Sequence, residues 1–121
     1  EKLKFRYKDF DVSFSIHVFQ YLKNPKKTFD EMLRVTKKQI IITAPNFIWL
    51  KIKSLFGKDF RKQYQYCIKH ENVTDDVFLK KLGERHGIKM EIKYLSNKFD
   101  KIRGLFGKYL ASEVMGVYNL K

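Results

Sequence analysis

The chain has 121 residues, with 26 lysines and arginines against 13 aspartates and glutamates, giving a formal net charge of +13 at pH 7. This length allows one domain at most, and 44% hydrophobic with 16% aromatic residues can form a buried core, which excludes an intrinsically disordered chain. The longest apolar run, residues 40–50, is interrupted by Thr43, Pro45 and Asn46, so no stretch reaches the roughly 18 apolar residues of a membrane span. The single cysteine, Cys67, excludes an internal disulfide and suits a cytoplasmic protein.

The positive charge allows two interpretations. A strongly basic domain can bind nucleic acid or an anionic membrane surface. The cations are spread along the chain without an arginine-rich tract, which favours solvated lysines on helix surfaces. Nucleic-acid binding therefore stays an alternative that the composition does not favour.

The first predicted elements form a strand, a helix and a second strand. Residues 10–15 mix aromatic and β-branched side chains at both alternating positions, as in a strand covered on both faces. Asn24 is a suitable N-cap and Pro25 a suitable first residue for a helix over 26–37. A continuous β-branched run predicts a buried strand over 39–44. Such a unit builds parallel sheets, which bind their ligands at the carboxyl ends of the strands.

The second half of the chain predicts further helices. Residues 47–69 are basic and aromatic, and indicate one or two helices broken at Gly57. Thr74 is predicted as the N-cap of a helix over 77–85. Gly87 suits the left-handed position that follows a helix.

Two strands are predicted towards the C-terminus. Residues 88–95 alternate apolar and polar side chains, which indicates a strand with one less-covered face. After a charged loop containing Gly104 and Gly107, residues 111–119 are predicted as a last strand.

Several segments follow one another in an order typical of one family. They are Leu3-Lys4-Phe5 with Phe10-Asp11-Val12, Val18-Phe19-Gln20-Tyr21-Leu22 with Asn24-Pro25, Glu31-Met32-Leu33-Arg34-Val35, Ile41-Ile42-Thr43-Ala44-Pro45-Asn46, and His70 with Thr74 and His86-Gly87-Ile88. In this order they resemble the C-terminal half of a Rossmann-like (class I) S-adenosylmethionine-dependent methyltransferase of the small-molecule type. Tyr21 stands where the family often has histidine.

The resemblance implies an α/β fold that is only partly present. Residues 1–121 are expected to be a single partial domain with a mainly parallel sheet and one antiparallel strand near the C-terminus, beside residues 39–44. The family's glycine-rich turn is missing, since none of the six glycines forms Gly-x-Gly. We therefore expect a fragment of a longer protein that supplies one wall of the cofactor crevice and is inactive alone.

The resemblance also implies S-adenosylmethionine as cofactor and assigns site residues. The expected cofactor contacts are Leu3, Lys4, Phe5, Ser15, Ile16 and His17. The expected substrate contacts are Tyr21, Asn46 and His70. Histidine is a common general base in enzymes, which makes His17 a candidate, but a structural or cofactor-lining histidine is the favoured interpretation. No catalytic residue is assigned, and the histidines lack the closely spaced partners of a zinc site, so no metal is predicted.

The expected function is methyl transfer to a small-molecule or lipid-like acceptor. Residues 47–56 are amphipathic, basic and aromatic, and are expected to cover a hydrophobic substrate, contact a membrane surface or pack on the sheet. Two alternatives stay open. One is a basic nucleic-acid-binding module or RNA methyltransferase, and the other is a folded but inactive fragment.

Overall fold

The computed structural model describes residues 2–95, 109 and 111–121. These residues form a four-stranded sheet with four α-helices and one short 3₁₀ turn. In chain order the elements are β1 (Phe10–Ile16), the 3₁₀ turn (Phe19–Tyr21), α1 (Pro25–Val35), β2 (Thr36–Pro45), α2 (Phe47–Ser54), α3 (Lys58–His70), α4 (Asp76–Glu84), β3 (Met90–Leu95) and β4 (Glu113–Asn119). The strand order across the sheet is β1-β2-β4-β3.

The predicted strand–helix–strand unit is confirmed. β1 and β2 pair in parallel, with Phe14 opposite Ile41. The Asn24 side chain accepts a hydrogen bond from the Lys27 backbone N–H at 3.1 Å, and Pro25 is the first residue of α1. The carboxyl ends of both strands therefore lie side by side at one edge of the sheet.

The predicted end of this helix is wrong by two residues. α1 ends at Val35, and Lys37 belongs to β2 instead of the last helical turn. The Thr36 hydroxyl donates to the Met32 carbonyl at 2.6 Å, while the Thr36 backbone is extended and pairs with Phe10. One buried threonine thus closes the helix and begins the strand, which explains the early end.

The predicted last strand is also confirmed. β4 runs antiparallel to both of its neighbours, β2 and β3, so three strands share one direction and one opposes them. The predicted alternation of β3 holds, since Met90, Ile92 and Tyr94 pack on the core while the side chains between them are more exposed. The loop with Gly104 and Gly107 lies outside the described residues.

The core occupies one face of the sheet. α1 and α4 both pack on this face, and its fully buried side chains are Phe19, Phe29, Ile40, Ile42, Ala44, Leu79, Leu82, Val114 and Tyr118. The Tyr118 hydroxyl donates to the Leu79 carbonyl at 2.7 Å, and its ring lies 4.8 Å from that of Phe29. Tyr118 therefore joins β4 to both helices.

The predicted cap of α4 is wrong by one residue. Asp75, and not Thr74, is the N-cap, and its carboxylate accepts from the Phe78 backbone N–H at 2.8 Å. Thr74 is completely buried, and its hydroxyl has no partner among the described residues. Gly87 adopts the predicted left-handed conformation, with φ +65°.

The prediction that the first strand is covered on both faces is wrong for the described residues. β1 is the edge of the sheet, and Phe14 and Ile16 are 70% and 61% exposed on the face away from α1. Their apolar character is typical of a strand inside a wider sheet. The sequence pattern thus indicates that this face of β1 is buried, but residues 2–95, 109 and 111–121 do not bury it.

α2 and α3 form a helical hairpin with the predicted break at Gly57. The Lys53 ammonium lies 5.5 Å from the Trp49 ring on its own helix and 4.7 Å from the Phe60 ring on the other helix. This cation–π stack holds the two helices together. Within the part of the chain that the structure describes, no helix has the length and apolarity needed to cross a membrane.

Candidate functional site

His17 lies where three strands meet. Directly after β1, its backbone N–H donates to the Thr43 carbonyl of β2 at 3.0 Å, and its Nε2 lies 3.3 Å from Glu113 Oε2 at the start of β4. Its φ of 52° is in the left-handed region, which costs an L-residue about 1–2 kcal/mol. Backbone strain of this kind is concentrated at functional sites.

The two residues before His17 point to different faces. Ser15 pairs with Ile42 and shares its core-facing side, where it is half-buried. Ile16 pairs with Thr43 and presents its exposed side chain on the open face. Ile16 and His17 therefore form an accessible, partly apolar wall at the carboxyl end of β1.

A pocket of about 240 Å³ lies at the carboxyl end of β2. The 3₁₀ turn, the end of β2 and the α2–α3 hairpin enclose it, and its lining includes Tyr21, Asn46, Trp49, Cys67 and Glu71. Two of the three predicted substrate contacts, Tyr21 and Asn46, are thus brought together. The mixed aromatic and polar lining suits a small organic molecule.

The amide of Asn46 is already engaged by the protein. Its Oδ1 accepts from the Ile48 backbone N–H at 3.1 Å, which caps α2, and its Nδ2 donates to the Ala111 carbonyl at 2.8 Å. The side chain is buried. Asn46 therefore shapes the pocket by fixing the start of α2 beside β4, and its predicted contact with substrate stays a prediction.

The third predicted substrate contact, His70, lies apart from the pocket. It is exposed on α3, and its ring lies 4.7 Å from the ring of Tyr66. Its predicted contact with substrate stays a prediction.

Cys67 and Glu71 line the pocket without having been predicted. Burial, followed by the charge of Glu71, raises the pKa of the Cys67 thiol above its ordinary value. The thiol therefore stays protonated near neutral pH. The sequence offered no signal for either residue, since Cys67 lies within α3 and Glu71 directly follows it.

The structure does not bring the six predicted cofactor residues together. Arg34 donates to the carbonyls of Leu3 and Phe5 at 3.0 and 2.9 Å, and the Phe5 ring packs edge-on against Phe10. This places residues 3–5 near the start of β1, whereas Ser15, Ile16 and His17 lie at its far end, roughly 20 Å away at the rise of a strand. A contact between Leu3, Lys4 or Phe5 and the cofactor stays a prediction.

Glu31 completes the attachment of the N-terminal segment. Its carboxylate accepts from Arg34 at 2.9 and 3.0 Å and from the Leu3 backbone N–H at 2.9 Å. These hydrogen bonds, that of Arg34 first, lower the pKa of Glu31 to about 2.

A larger open cavity of about 900 Å³ lies at the opposite end of β2. Its lining includes Lys8, Lys89 and Lys121 and none of the predicted site residues. Among residues 2–95, 109 and 111–121, no three His, Cys, Asp or Glu side chains are grouped as ligands of a metal ion.

Comparison with known proteins decides the fold. Residues 1–42, which include β1, α1 and most of β2, match the family model of a methyltransferase domain. Solved structures match nearly the whole chain. A S-adenosylmethionine-dependent methyltransferase from Thermotoga maritima, described as a possible histamine N-methyltransferase, has a TM-score of 0.67 with 14% identity over 99% of this chain. The chain has the fold of a Rossmann-like methyltransferase.

Two further structures support this methyltransferase fold. An S-adenosylmethionine-dependent methyltransferase from Mesorhizobium loti has a TM-score of 0.65 with 9% identity over 98% of the chain, and the small RNA methyltransferase HEN1 has 0.59 with 15% identity over 95%. The chain spans 60% of the Thermotoga protein, 65% of the Mesorhizobium protein and 15% of HEN1. No curated protein sequence matches. Both the Thermotoga and the Mesorhizobium proteins are described as dependent on S-adenosylmethionine, which is the cofactor predicted for this chain.

Proposed function

We propose that the chain is the C-terminal part of an S-adenosylmethionine-dependent methyltransferase that acts on a small-molecule or lipid-like acceptor. The observation that carries the proposal is the parallel β1–α1–β2 unit, which matches the methyltransferase domain model and has a pocket at the carboxyl end of β2. β1 is an edge strand with an exposed apolar face. This supports the proposal that a second part of the domain covers and pairs with β1 in the intact protein.

The residues at the end of β1 fit one side of S-adenosylmethionine. Ile16 offers exposed apolar surface, and the strained His17 holds its backbone at the point where two parallel strands end. Ligands of open α/β sheets bind at such strand ends. Related nucleotide sites use a glycine-rich turn and an acidic residue to hold the ligand. The end of β1 supplies neither of these two features. Ile16 and His17 would therefore form one wall of the cofactor site.

The chemistry supplied by the bound cofactor is an electrophilic methyl group on a positively charged sulfur. The residues of this chain would act by position. The 3₁₀ turn, the end of β2 and the α2–α3 hairpin enclose the pocket, so an acceptor held there would be positioned at the strand ends and shielded from water. His17 is paired with Glu113 and lies outside the lining of this pocket, so no catalytic base is assigned.

RNA methylation is a second candidate. The similarity to a small RNA methyltransferase favours it. The small volume of the pocket and its aromatic lining favour a small acceptor. An RNA substrate would show itself by binding that weakens steeply as salt is raised.

Calorimetric titration with S-adenosylmethionine tests the proposal. We expect the product of the complete reading frame that contains this chain to bind the cofactor, and S-adenosylhomocysteine to compete. The 121-residue chain alone is expected to bind at least roughly tenfold more weakly, since it supplies one wall of the site. Absence of binding to the complete product would overturn the enzyme proposal and favour the inactive fragment.

A further inference from the structure

The tip of the α2–α3 hairpin carries two of the most exposed large apolar side chains that the structure describes. Leu55 is 72% exposed and Phe56 is 83% exposed, and both lie in the turn between the helices. In the described part of the chain, α2 and α3 pack chiefly against each other. α3 is about 20 Å long at the rise of a helix. The tip is therefore open to solvent.

Cations surround this apolar tip. Lys51, Lys58, Arg61 and Lys62 are exposed and lie within two helical turns of Phe56, with Asp59 as the one acidic residue in the segment 51–62. Among the ion pairs that join described residues, none involves Lys51, Lys58 or Lys62. Their charge is therefore available to an external partner.

We propose that the hairpin tip, residues 55 and 56 with the surrounding cations, docks on the surface of an anionic lipid bilayer. At a membrane interface, apolar side chains enter the acyl boundary and lysines remain among the headgroups. An apolar tip flanked by cations fits this arrangement. Each cation near an anionic surface strengthens binding by about fivefold. The complementary charge and the protruding apolar pair thus point to the same partner.

The tip is less suited to nucleic acid. Leu55 has no ring on which a base stacks, and Tyr66, an exposed ring of α3, already faces His70. The apolar side chains at the tip would also meet a partner before the flanking cations do, whereas phosphate recognition requires direct contact with the cations.

Membrane docking would have a consequence for the site. The hairpin helices supply Trp49, Leu50 and Cys67 to the pocket at the end of β2. The same helices would therefore connect the bilayer to the acceptor pocket and favour a lipid-like acceptor. This consequence rests on the proposed function, but the docking itself does not.

Vesicle sedimentation tests the docking with the full 121-residue chain and no cofactor. The probes are vesicles of phosphatidylcholine alone and vesicles containing about 30% phosphatidylglycerol, a stand-in for an anionic leaflet. We expect sedimentation with the anionic vesicles, weakening as salt is raised, and much less with neutral vesicles. Trp49, the only tryptophan, should shift its emission to the blue on binding because it lies in the hairpin.

A matched pair of double variants separates the tip from general charge. Leu55→Glu with Phe56→Glu is expected to weaken binding at least roughly tenfold, since apolar contacts are replaced by negative charges. Val73→Glu with Val77→Glu adds the same charge at other exposed apolar positions and is expected to change binding less than about threefold. Lys58→Gln with Lys62→Gln leaves the apolar tip intact and should weaken binding to anionic vesicles only.

Three results would overturn the docking proposal. They are absence of sedimentation with anionic vesicles, equal losses in the two glutamate variants, and binding to a single-stranded RNA oligomer in place of vesicles. Circular dichroism of each variant shows that its fold is retained. Because S-adenosylmethionine is absent from the assay, failure here leaves the methyltransferase proposal untouched, and failure of cofactor binding leaves the docking proposal untouched.

Discussion

Gly83 allows α4 to lie directly on the sheet. A Cβ at this position would stand 2.7 Å from the Ile88 carbonyl oxygen and 3.1 Å from the Tyr118 ring. Alanine ordinarily favours a helix by about 1 kcal/mol over glycine. Here the backbone contact outweighs that preference, because the carbonyl cannot move without displacing the chain before β3.

We therefore expect Gly83→Ala to lower the free energy of unfolding by about 1–3 kcal/mol. Urea denaturation followed by circular dichroism measures the difference. A gain in stability would contradict the close approach of α4 and the chain at Ile88.

Glu31 gives the fold a contribution that depends on pH. The pKa of Glu31 is about 2 in the folded protein, against an ordinary value of 4.5, because Arg34 and the Leu3 backbone stabilise the charged form. A lowered pKa stabilises the folded state fully above pH 4.5, and the contribution is lost as pH falls from 4.5 towards 2.

Glu31→Gln is accordingly expected to lower the melting temperature most at neutral pH. The difference between the two proteins should shrink as pH falls below 4.5 and be lost only as pH falls through about 2, where the wild-type side chain also becomes neutral. Thermal melts across this range provide the measurement. A difference that does not change with pH would mean that the hydrogen bonds of Glu31 do not depend on its charge.

Residue roles were predictable where the cause is local. Asn24, Pro25 and Gly87 have the predicted positions, since capping and left-handed turns depend on the residue and its immediate neighbours. The pairing of His17 with Glu113 was not predictable, because the two are distant in sequence and meet only through the order of the strands.

At the scale of elements, two neighbouring residues at the start of α4, Thr74 and Asp75, have different effects on stability. Asp75 accepts a hydrogen bond from the first turn of the helix, while the buried hydroxyl of Thr74 has no partner within the described residues. Loss of an N-cap costs about 1 kcal/mol, whereas replacing an unsatisfied buried hydroxyl by a methyl group costs little or stabilises the protein.

Asp75→Ala is therefore expected to reduce the free energy of unfolding by about 1 kcal/mol, and Thr74→Val to leave it unchanged or raise it. Chemical denaturation of the two variants makes the comparison. A larger loss of stability with Thr74→Val than with Asp75→Ala would mean that Thr74 is the N-cap, as the sequence alone predicted.

The elements themselves were largely predictable, and their ends were less so. A continuous β-branched run marked β2 and alternation marked β3, because both patterns follow from burial of the side chains. The junction at Thr36 was missed because the same residue bonds back to the helix and pairs with β1, and a linear pattern contains no sign of the second contact.

The open edge of β1 decides how the whole molecule behaves in solution. Val12, Phe14 and Ile16 are exposed on one face of this strand, and the outer edge of the strand has no pairing partner among the described residues. Open apolar edges associate with other chains. We expect the 121-residue chain alone to associate with itself as its concentration rises.

Phe14→Lys should reduce this association strongly, since a charge on an edge strand opposes pairing. Tyr7→Lys, at an exposed aromatic residue outside the strand, serves as control. Sedimentation velocity measures both. A monomeric wild-type chain, or equal effects of the two variants, would contradict the role assigned to the β1 edge.

The arrangement of the whole sheet was predictable to the extent that the family resemblance fixed the order of its strands. The parallel pair and the antiparallel insertion of β4 are as expected. The separation of residues 3–5 from Ser15, Ile16 and His17 was not expected, because the resemblance places all six along one ligand but does not specify where each side chain lies in this chain.

Cofactor titration of a matched pair of variants tests the central claim most directly. Val12 and Ile16 are both β-branched and exposed on the same face of β1, but only Ile16 lies at the carboxyl end. In the complete reading-frame product, Ile16→Lys is predicted to weaken S-adenosylmethionine binding at least roughly tenfold, because it places a cation beside a positively charged ligand, while Val12→Lys leaves binding within about threefold of wild type. Equal affinities for the two variants, or a greater loss with Val12→Lys, would contradict a cofactor site at the end of this strand.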